Sequence, residues 1–307
     1  MSDQVDYAAR VRVGPAGWSY KDWDGIVYPA PRPRGFDPLE YLAGYFDTVE
    51  VNSTYYRPAT AEAARGWAGR AAAGERAPGR FRFTAKVWER FTHHRDRAFT
   101  AAEVDEVRRG MDALVEAGRL GALLVQFPWS FKRDDAGREW LDDVTRAFGT
   151  FAPGGAGYPL AVEVRHASWN VPAFYAALAE RGIGFVNVDQ PLFKRSLGPS
   201  AEATAPVGYV RLHGRNADSW FRADAGVNER YDYLYSAEEL APWAERTRRV
   251  AEAAPETYVV TNNHYRGQAV TNALMLDAMI TGRRTDAPPG VAAAYGGRAA
   301  RDQALPE

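Results

Sequence analysis

The chain has 307 residues, of which 46% are hydrophobic and 25% charged, with a formal net charge of −1 and no cysteine. That length suits one large domain, and the near-neutral balance gives no global pull towards nucleic acid or anionic membrane. Without cysteine there can be no disulfide, thiolate metal site, iron–sulfur cluster or cysteine nucleophile.

Residues 1–10 lack the apolar core of a signal peptide and read as a flexible N-terminus. No window approaches the ~20 apolar residues of a membrane span. No membrane partner is expected, and the cytoplasm is the expected compartment. From residue 11, predicted strands and helices alternate: strands at 11–16, 48–54, 80–86, 122–127, 160–165, 184–189, 208–213 and 257–262, and helices at 37–45, 60–73, 100–118, 134–148, 171–181, 237–253 and 267–281. Two helices open with capping boxes, Thr100 with Glu103 and Ser236 with Glu239. The link at 190–206 carries Pro191, Pro199 and Pro206 and reads as a loop without a helix, an irregular sixth unit. Residues 283–307, rich in Ala, Gly, Pro and charge, read as a disordered tail.

Eight strands separated mostly by helices argue for parallel pairing, with residues 11–282 forming a single α/β domain, a TIM-type (β/α)8 barrel. An open doubly wound sheet is the rival. Long aromatic loops follow several strands, with Trp18, Tyr20 and Trp23 after the first and Trp220, Tyr231 and Tyr235 after the seventh. Such loops on the C-terminal side of the strands are where a barrel carries its site.

The strands themselves point to the same place. Strands of a parallel barrel are ordinarily continuous apolar runs. Here Glu50 and Asn52, Glu163 and Arg165, and Arg211 and His213 each stand two apart around a Val or Leu. Side chains two apart share a face, so these pairs turn towards the barrel axis. Lys86, Gln126, Asp189, Asn262 and Asn263 end other strands. Charges on a barrel axis are costly unless paired or functional. A purely structural ion network is the alternative to a ligand site. Glu50 and Glu163 are acid/base candidates and His213 a candidate proton shuttle. Lys86, Arg165 and Arg211 suit a phosphate or carboxylate. Asn52, Gln126, Asp189, Asn262 and Asn263, with Trp18 and Tyr20, would contact the substrate. No cofactor is required. A divalent metal shared by Glu50, Glu163, Asp189 and His213 is compatible with the donor set, although neither HExxH nor a His-x-His pair occurs. There is no GxxxxGK[ST], GxGxxG or GxSxG. His166 follows Arg165 and is expected to face the helices, and His93 and His94 sit in a basic loop.

Together these motifs resemble the domain of unknown function 72 family, also called YecE-like, over about residues 11–282. The resemblance rests on Gly17-Trp18 with Tyr20, Trp23 and Gly25, then on the run Val49 to Arg57. It continues through Phe81, Phe83 and Lys86, then Leu123 to Pro128, Val162 to His166 with Trp169, Tyr209 to Gly214, and Asn262-Asn263. It implies a TIM-type barrel, similar in kind to sugar isomerases and to endonuclease IV-type nucleases, and it implies no particular activity. The expected function is an enzyme acting on a small polar, anionic substrate such as a phosphorylated sugar or nucleotide. Two alternatives stand beside it. One is nucleic-acid binding through Arg90, Arg95, Arg97, Lys194 and Arg195, with Trp220 or Tyr231 stacking on a base. The other is a non-catalytic ligand-binding barrel.

Overall fold

A computed structural model describes residues 5–150, 157–220, 222 and 227–302. Its strands are β1 (Val11–Pro15), β2 (Thr48–Val51), β3 (Arg82–Lys86), β4 (Leu120–Gln126), β5 (Leu160–Glu163), β6 (Gly184–Asp189), β7 (Val207–Leu212) and β8 (Glu256–Thr261). All eight pair in parallel, in the order β1-β8-β7-β6-β5-β4-β3-β2. The ends of that order meet. Ala16 bridges Glu50, and the Gly17 amide donates to the Glu50 carbonyl at 2.8 Å. Gly14 makes this seam fit, because a Cβ there would lie 1.9 Å from the Thr48 carbonyl oxygen. The sheet therefore closes as a (β/α)8 barrel rather than staying open.

The principal helices are α1 (Pro38–Ala43), α2 (Ala61–Gly74), α3 (Ala101–Glu116), α4 (Asp135–Phe148), α5 (Pro172–Glu180), α6 (Ala237–Ala253), α7 (Gln268–Thr281) and α8 (Pro289–Asp302). Both expected capping boxes start their helices, α3 and α6. Among the described residues no helix is long and apolar enough to cross a membrane. Several strands end earlier than their sequence suggests. β2 stops at Val51 because Ser53–Tyr56 turns into a helical turn, with Thr54 Oγ1 donating back to the Val51 carbonyl at 3.0 Å.

No helix follows β6 directly, as the prolines of 190–206 imply. Its outer face meets α5, where Phe174 packs on Phe185 at 6.2 Å, and the 190–206 loop. Asn187 on that face accepts from Ser200 Oγ at 2.7 Å and the Glu202 amide at 2.8 Å. Both chain ends are more regular than composition suggests. Tyr7–Arg10 forms one helical turn capped by Asp6. In the tail α8 forms, with buried Val291 one turn before Tyr295, whose hydroxyl donates to the Arg266 carbonyl at 2.8 Å. Alanine-rich sequence looks featureless in composition, yet alanine is the best helix former once an anchor exists. Residues 1–4 and 303–307 lie outside the described residues.

A buried ion network closes the N-terminal end of the barrel. Asp47, just before β2 and 2% exposed, receives Arg76 (2.8 and 2.9 Å), Arg80 (2.7 Å) and Arg283 (2.8 Å). Arg76 also meets Asp277 at 3.1 Å. Remaining donors are absorbed by carbonyls: Arg80 binds those of Ala9 and Val11, and Arg76 that of Tyr45. This network ties β2, the approach to β3, the N-terminal turn and the start of the tail together.

Candidate functional site

Strand alternation delivers a second network at the C-terminal end. Register pairs Glu50 with Thr84 and Gln126 with Glu163 across neighbouring strands, so these side chains share the inner face. Arg211 lies at the centre with no exposed surface. One guanidinium nitrogen, Nη2, donates to Glu50 Oε1 at 2.6 Å. The other, Nη1, donates to Glu163 Oε2 at 2.6 Å and to Gln126 Oε1 at 3.1 Å. Tyr209, two residues earlier and on the same face, donates to Glu50 Oε2 at 2.8 Å, and Thr84 Oγ1 lies 2.8 Å from the same phenol. Arg165 Nε donates to Glu163 Oε1 at 2.8 Å. His213 completes the group, with Nε2 3.2 Å from Glu163 Oε1 and Nδ1 3.1 Å from Asn262 Nδ2.

This pairing fixes the protonation states. Burial favours a neutral Glu163, but the charges of Arg211 and Arg165 outweigh it and hold the carboxyl well below its usual range. Burial and the Arg165 charge push His213 down to about 3, so it is a neutral imidazole at pH 7. Nε2 faces Arg165 Nη2 at 3.2 Å and Arg211 Nη1 at 3.4 Å as well as Glu163. With its pKa at about 3, His213 does not gain a proton near neutrality, which a proton-shuttle role there requires.

Lys86 stands apart from this pairing. It ends β3 half-buried on the inner face, and its Nζ lies 4.5 Å from the Tyr55 ring centroid. Among the described residues it forms no ion pair and no hydrogen bond. Burial, and then the nearby Arg211 charge, lower its amine to about 8. Around it the mouth is aromatic. Tyr20 stacks on His264 at 4.4 Å, Tyr231 meets His264 at 5.0 Å, and Trp220 lies 5.7 Å from the Arg165 guanidinium. Asn52 Nδ2 donates to the Tyr20 hydroxyl at 3.2 Å, while its Oδ1 is buried without a partner, as is Arg211 Nε. Buried polar atoms are almost always satisfied, so the network at the mouth is left with two unmet hydrogen-bonding groups among the described residues.

The structure brings together Glu50, Glu163, Lys86, Gln126, Arg165, Arg211, His213 and Asn262, with Asn52 and Tyr20 at the rim. Three expected residues lie elsewhere. Asp189 pairs in register with Leu212 on the outer face and is held by Arg215 at 2.9 and 3.2 Å. Asn263, one residue past Asn262, also faces outward and donates to Asn272 on α7 at 2.8 Å. Trp18 packs on Trp67 of α2 at 5.8 Å and on Phe83, away from the mouth. A metal shared by Glu50, Glu163, Asp189 and His213 does not fit, because Arg211 lies between the two glutamates and Asp189 faces away. No group of three or more His, Asp or Glu among the described residues is placed to share one.

The family model described as "Protein of unknown function DUF72" matches residues 12–293. This chain belongs to the DUF72 family. The DUF72 chain is 25% identical over 279 residues to the UPF0759 protein YunF of Bacillus subtilis (strain 168), covering 85% of this chain and 92% of that one. A DUF72 family protein of Thermotoga maritima MSB8 superposes with a TM-score of 0.74 at 35% identity, covering 88% of this chain and 98% of that one. A DUF72 family protein of Enterococcus faecalis V583 gives a TM-score of 0.74 at 25% identity, covering 91% and 98%.

A groove of about 760 Å³ runs between α6 and α7, lined by Pro242, Ala244, Met275 and Met279 among others. It is largely apolar and lies on the outer helical layer. His166 caps the turn Ala167–Trp169 by accepting from the Ser168 amide, outside the mouth as its position implies. Arg90 is buried, bound to Glu103 and to the carbonyls of Arg97 and Ala98, so it staples its loop and faces no ligand. His93 is half-buried and touches Tyr55 at 5.1 Å, nearer the mouth than a solvated loop suggests. Tyr209, Thr84 and Tyr55 escaped notice because none is charged, although alternation from Arg211 and Lys86 already turns Tyr209 and Thr84 inward.

Proposed function

We propose that the barrel mouth is the active site of an enzyme acting on a small anionic, polar molecule, with Lys86 and Arg165 taking the anion. The observation that carries this is a Lys86 amine with no ion pair or hydrogen bond among the described residues, resting on the Tyr55 ring. Both nearby carboxylates are used up by Arg211, Arg165, Tyr209 and His213, leaving a positive group on the inner face with no protein anion. An anionic ligand supplies what Lys86 lacks. Gln126, Asn52 and Asn262 orient hydroxyl or carbonyl groups, and the aromatic rim of Tyr55, Trp220 and Tyr231 suits the faces of a sugar or planar ring.

The roles of the two carboxylates differ from those their pairing on the sequence suggests. Glu50 and Glu163 have no exposed surface, and their oxygens are occupied. They hold Arg211 and Arg165 in place and supply fixed negative charge beneath the ligand. Proton transfer near neutral pH falls to Lys86, the group at the mouth whose acidity matches it.

Matched pairs of phosphorylated and unphosphorylated sugars, tested by isothermal titration, check this reading. Binding confined to the phosphorylated members, and lost in Lys86→Met, is the expected result. Equal affinity for both members, or none for either, would overturn it.

A further inference from the structure

The chain contains 34 arginines and only four lysines, Lys21, Lys86, Lys132 and Lys194. Where positive charge alone is needed, this sequence uses arginine, as in Arg165 and Arg211, whose charges both act on Lys86. Three of the lysines are exposed on the surface; Lys86 is the one on the inner face of the barrel. An amine differs from a guanidinium in one chemical respect that matters here: it can lose its proton and attack carbon.

We infer that Lys86 is a Schiff-base-forming amine, and that the mouth takes small carbonyl compounds that also bear a carboxylate or phosphate. This rests on the anion-binding reading of the same mouth and adds the electrophile. Geometry supports it. Nζ has no ion pair or hydrogen bond among the described residues to hold its lone pair or fix its charge, and it lies against the Tyr55 ring. Burial lowers its pKa to about 8, which leaves an appreciable neutral fraction at pH 7. Arg165, 9% exposed, remains at the mouth to fix the anionic group of the ligand.

The step balances without a redox partner. The Nζ lone pair attacks the carbonyl carbon, the carbonyl π pair takes a proton from the amine, and a carbinolamine results. Loss of its hydroxyl with the second amine proton, as water, leaves the imine. A proton from solvent makes it the iminium, whose charge Glu50 and Glu163 favour, as they favour the protonated amine.

Glyoxylate, the smallest anionic aldehyde, with cyanoborohydride tests this on the intact chain. Reduction adds the mass of glyoxylate less one oxygen to any lysine that forms an imine, and peptide mapping locates it. The expected result at pH 7 is labelling of Lys86 at least tenfold faster than of Lys21, Lys132 and Lys194, slowed by inorganic phosphate. Lys86→Arg should lose the label at that position and keep phosphate binding, which also shows that the variant folds. Labelling of Lys86 no faster than the exposed lysines overturns the inference. If phosphate nevertheless stabilises the wild type, the anion reading survives alone. Fast labelling that phosphate does not slow would keep the amine chemistry and remove the anion site.

Discussion

At the base of the barrel one carboxylate, Asp47, receives three guanidiniums; at the mouth one guanidinium, Arg211, receives two carboxylates. The ingredients match, since each network has two carboxylates and three cations. At the base these are Asp47 and Asp277 with Arg76, Arg80 and Arg283. At the mouth they are Glu50 and Glu163 with Arg165, Arg211 and Lys86. The difference lies in closure. Every cation at the base bonds to a carboxylate, and spare donors end on carbonyls. At the mouth the third cation makes no ion pair or hydrogen bond among the described residues, only a ring contact with Tyr55, and Arg211 Nε and Asn52 Oδ1 are buried without partners. Equal charge can therefore be a finished structural lock or an unfinished one. Barrels keep stability at the N-terminal face and chemistry at the C-terminal face, and the unfinished network is the one at the C-terminal face.

That contrast can be broken or sharpened by removing its parts. The largest effect is expected from Arg211→Met, which leaves two fully buried carboxylates uncompensated and should cost about 4–5 kcal/mol in urea unfolding. Asp47→Ala should cost about 3 kcal/mol, somewhat less because Arg80 and Arg283 can reach solvent. Phosphate binding by Asp47→Ala, measured by titration, should be unchanged.

The two ends should also part in acid. His213 has its folded pKa, about 3, below its unfolded value of 6.5. Its stabilisation is complete above pH 6.5 and is lost as pH falls through that window, because the unfolded chain binds the proton first. Asp47 is likewise depressed, so its contribution falls away only below its ordinary 3.8. His213→Gln should therefore flatten the stability profile between pH 6.5 and 4 by up to about 1.4 kcal/mol per pH unit. An unchanged slope would show that the imidazole is already charged in the folded state. No loss of stability is expected from Lys86→Met, which should be as stable as wild type or up to about 2 kcal/mol more stable, since a desolvated amine without an anionic partner costs folding energy.

Much of this contrast is legible in the sequence. Alternation on β5 and β7 places Glu163 with Arg165 and Arg211 with His213 without any coordinates. It fails where a strand's last residue could face either way. Asp189 and Asn263 look like Asn262, yet one residue of parity sends them outward. Residue type also misleads about chemistry. Two carboxylates suggest an acid/base pair, yet Arg211 bridges them while Arg165 and Tyr209 take their other oxygens. The base network is invisible in sequence, because Asp47, Arg76, Arg80, Asp277 and Arg283 lie in loops, helix ends and the tail, with no shared periodicity. The tail shows the same limit, since α8 depends on two anchors, Val291 and Tyr295, that composition averages away.

The most direct measurement is the thermal midpoint of Lys86→Met with and without inorganic phosphate, beside Asp47→Ala and wild type. The expected result is a Lys86→Met protein at least as stable as wild type when unliganded and no longer raised by phosphate, while Asp47→Ala melts far lower and still responds. A Lys86→Met protein that is destabilised like Asp47→Ala, or that retains the full phosphate response, would contradict the distinction between an open mouth and a closed base.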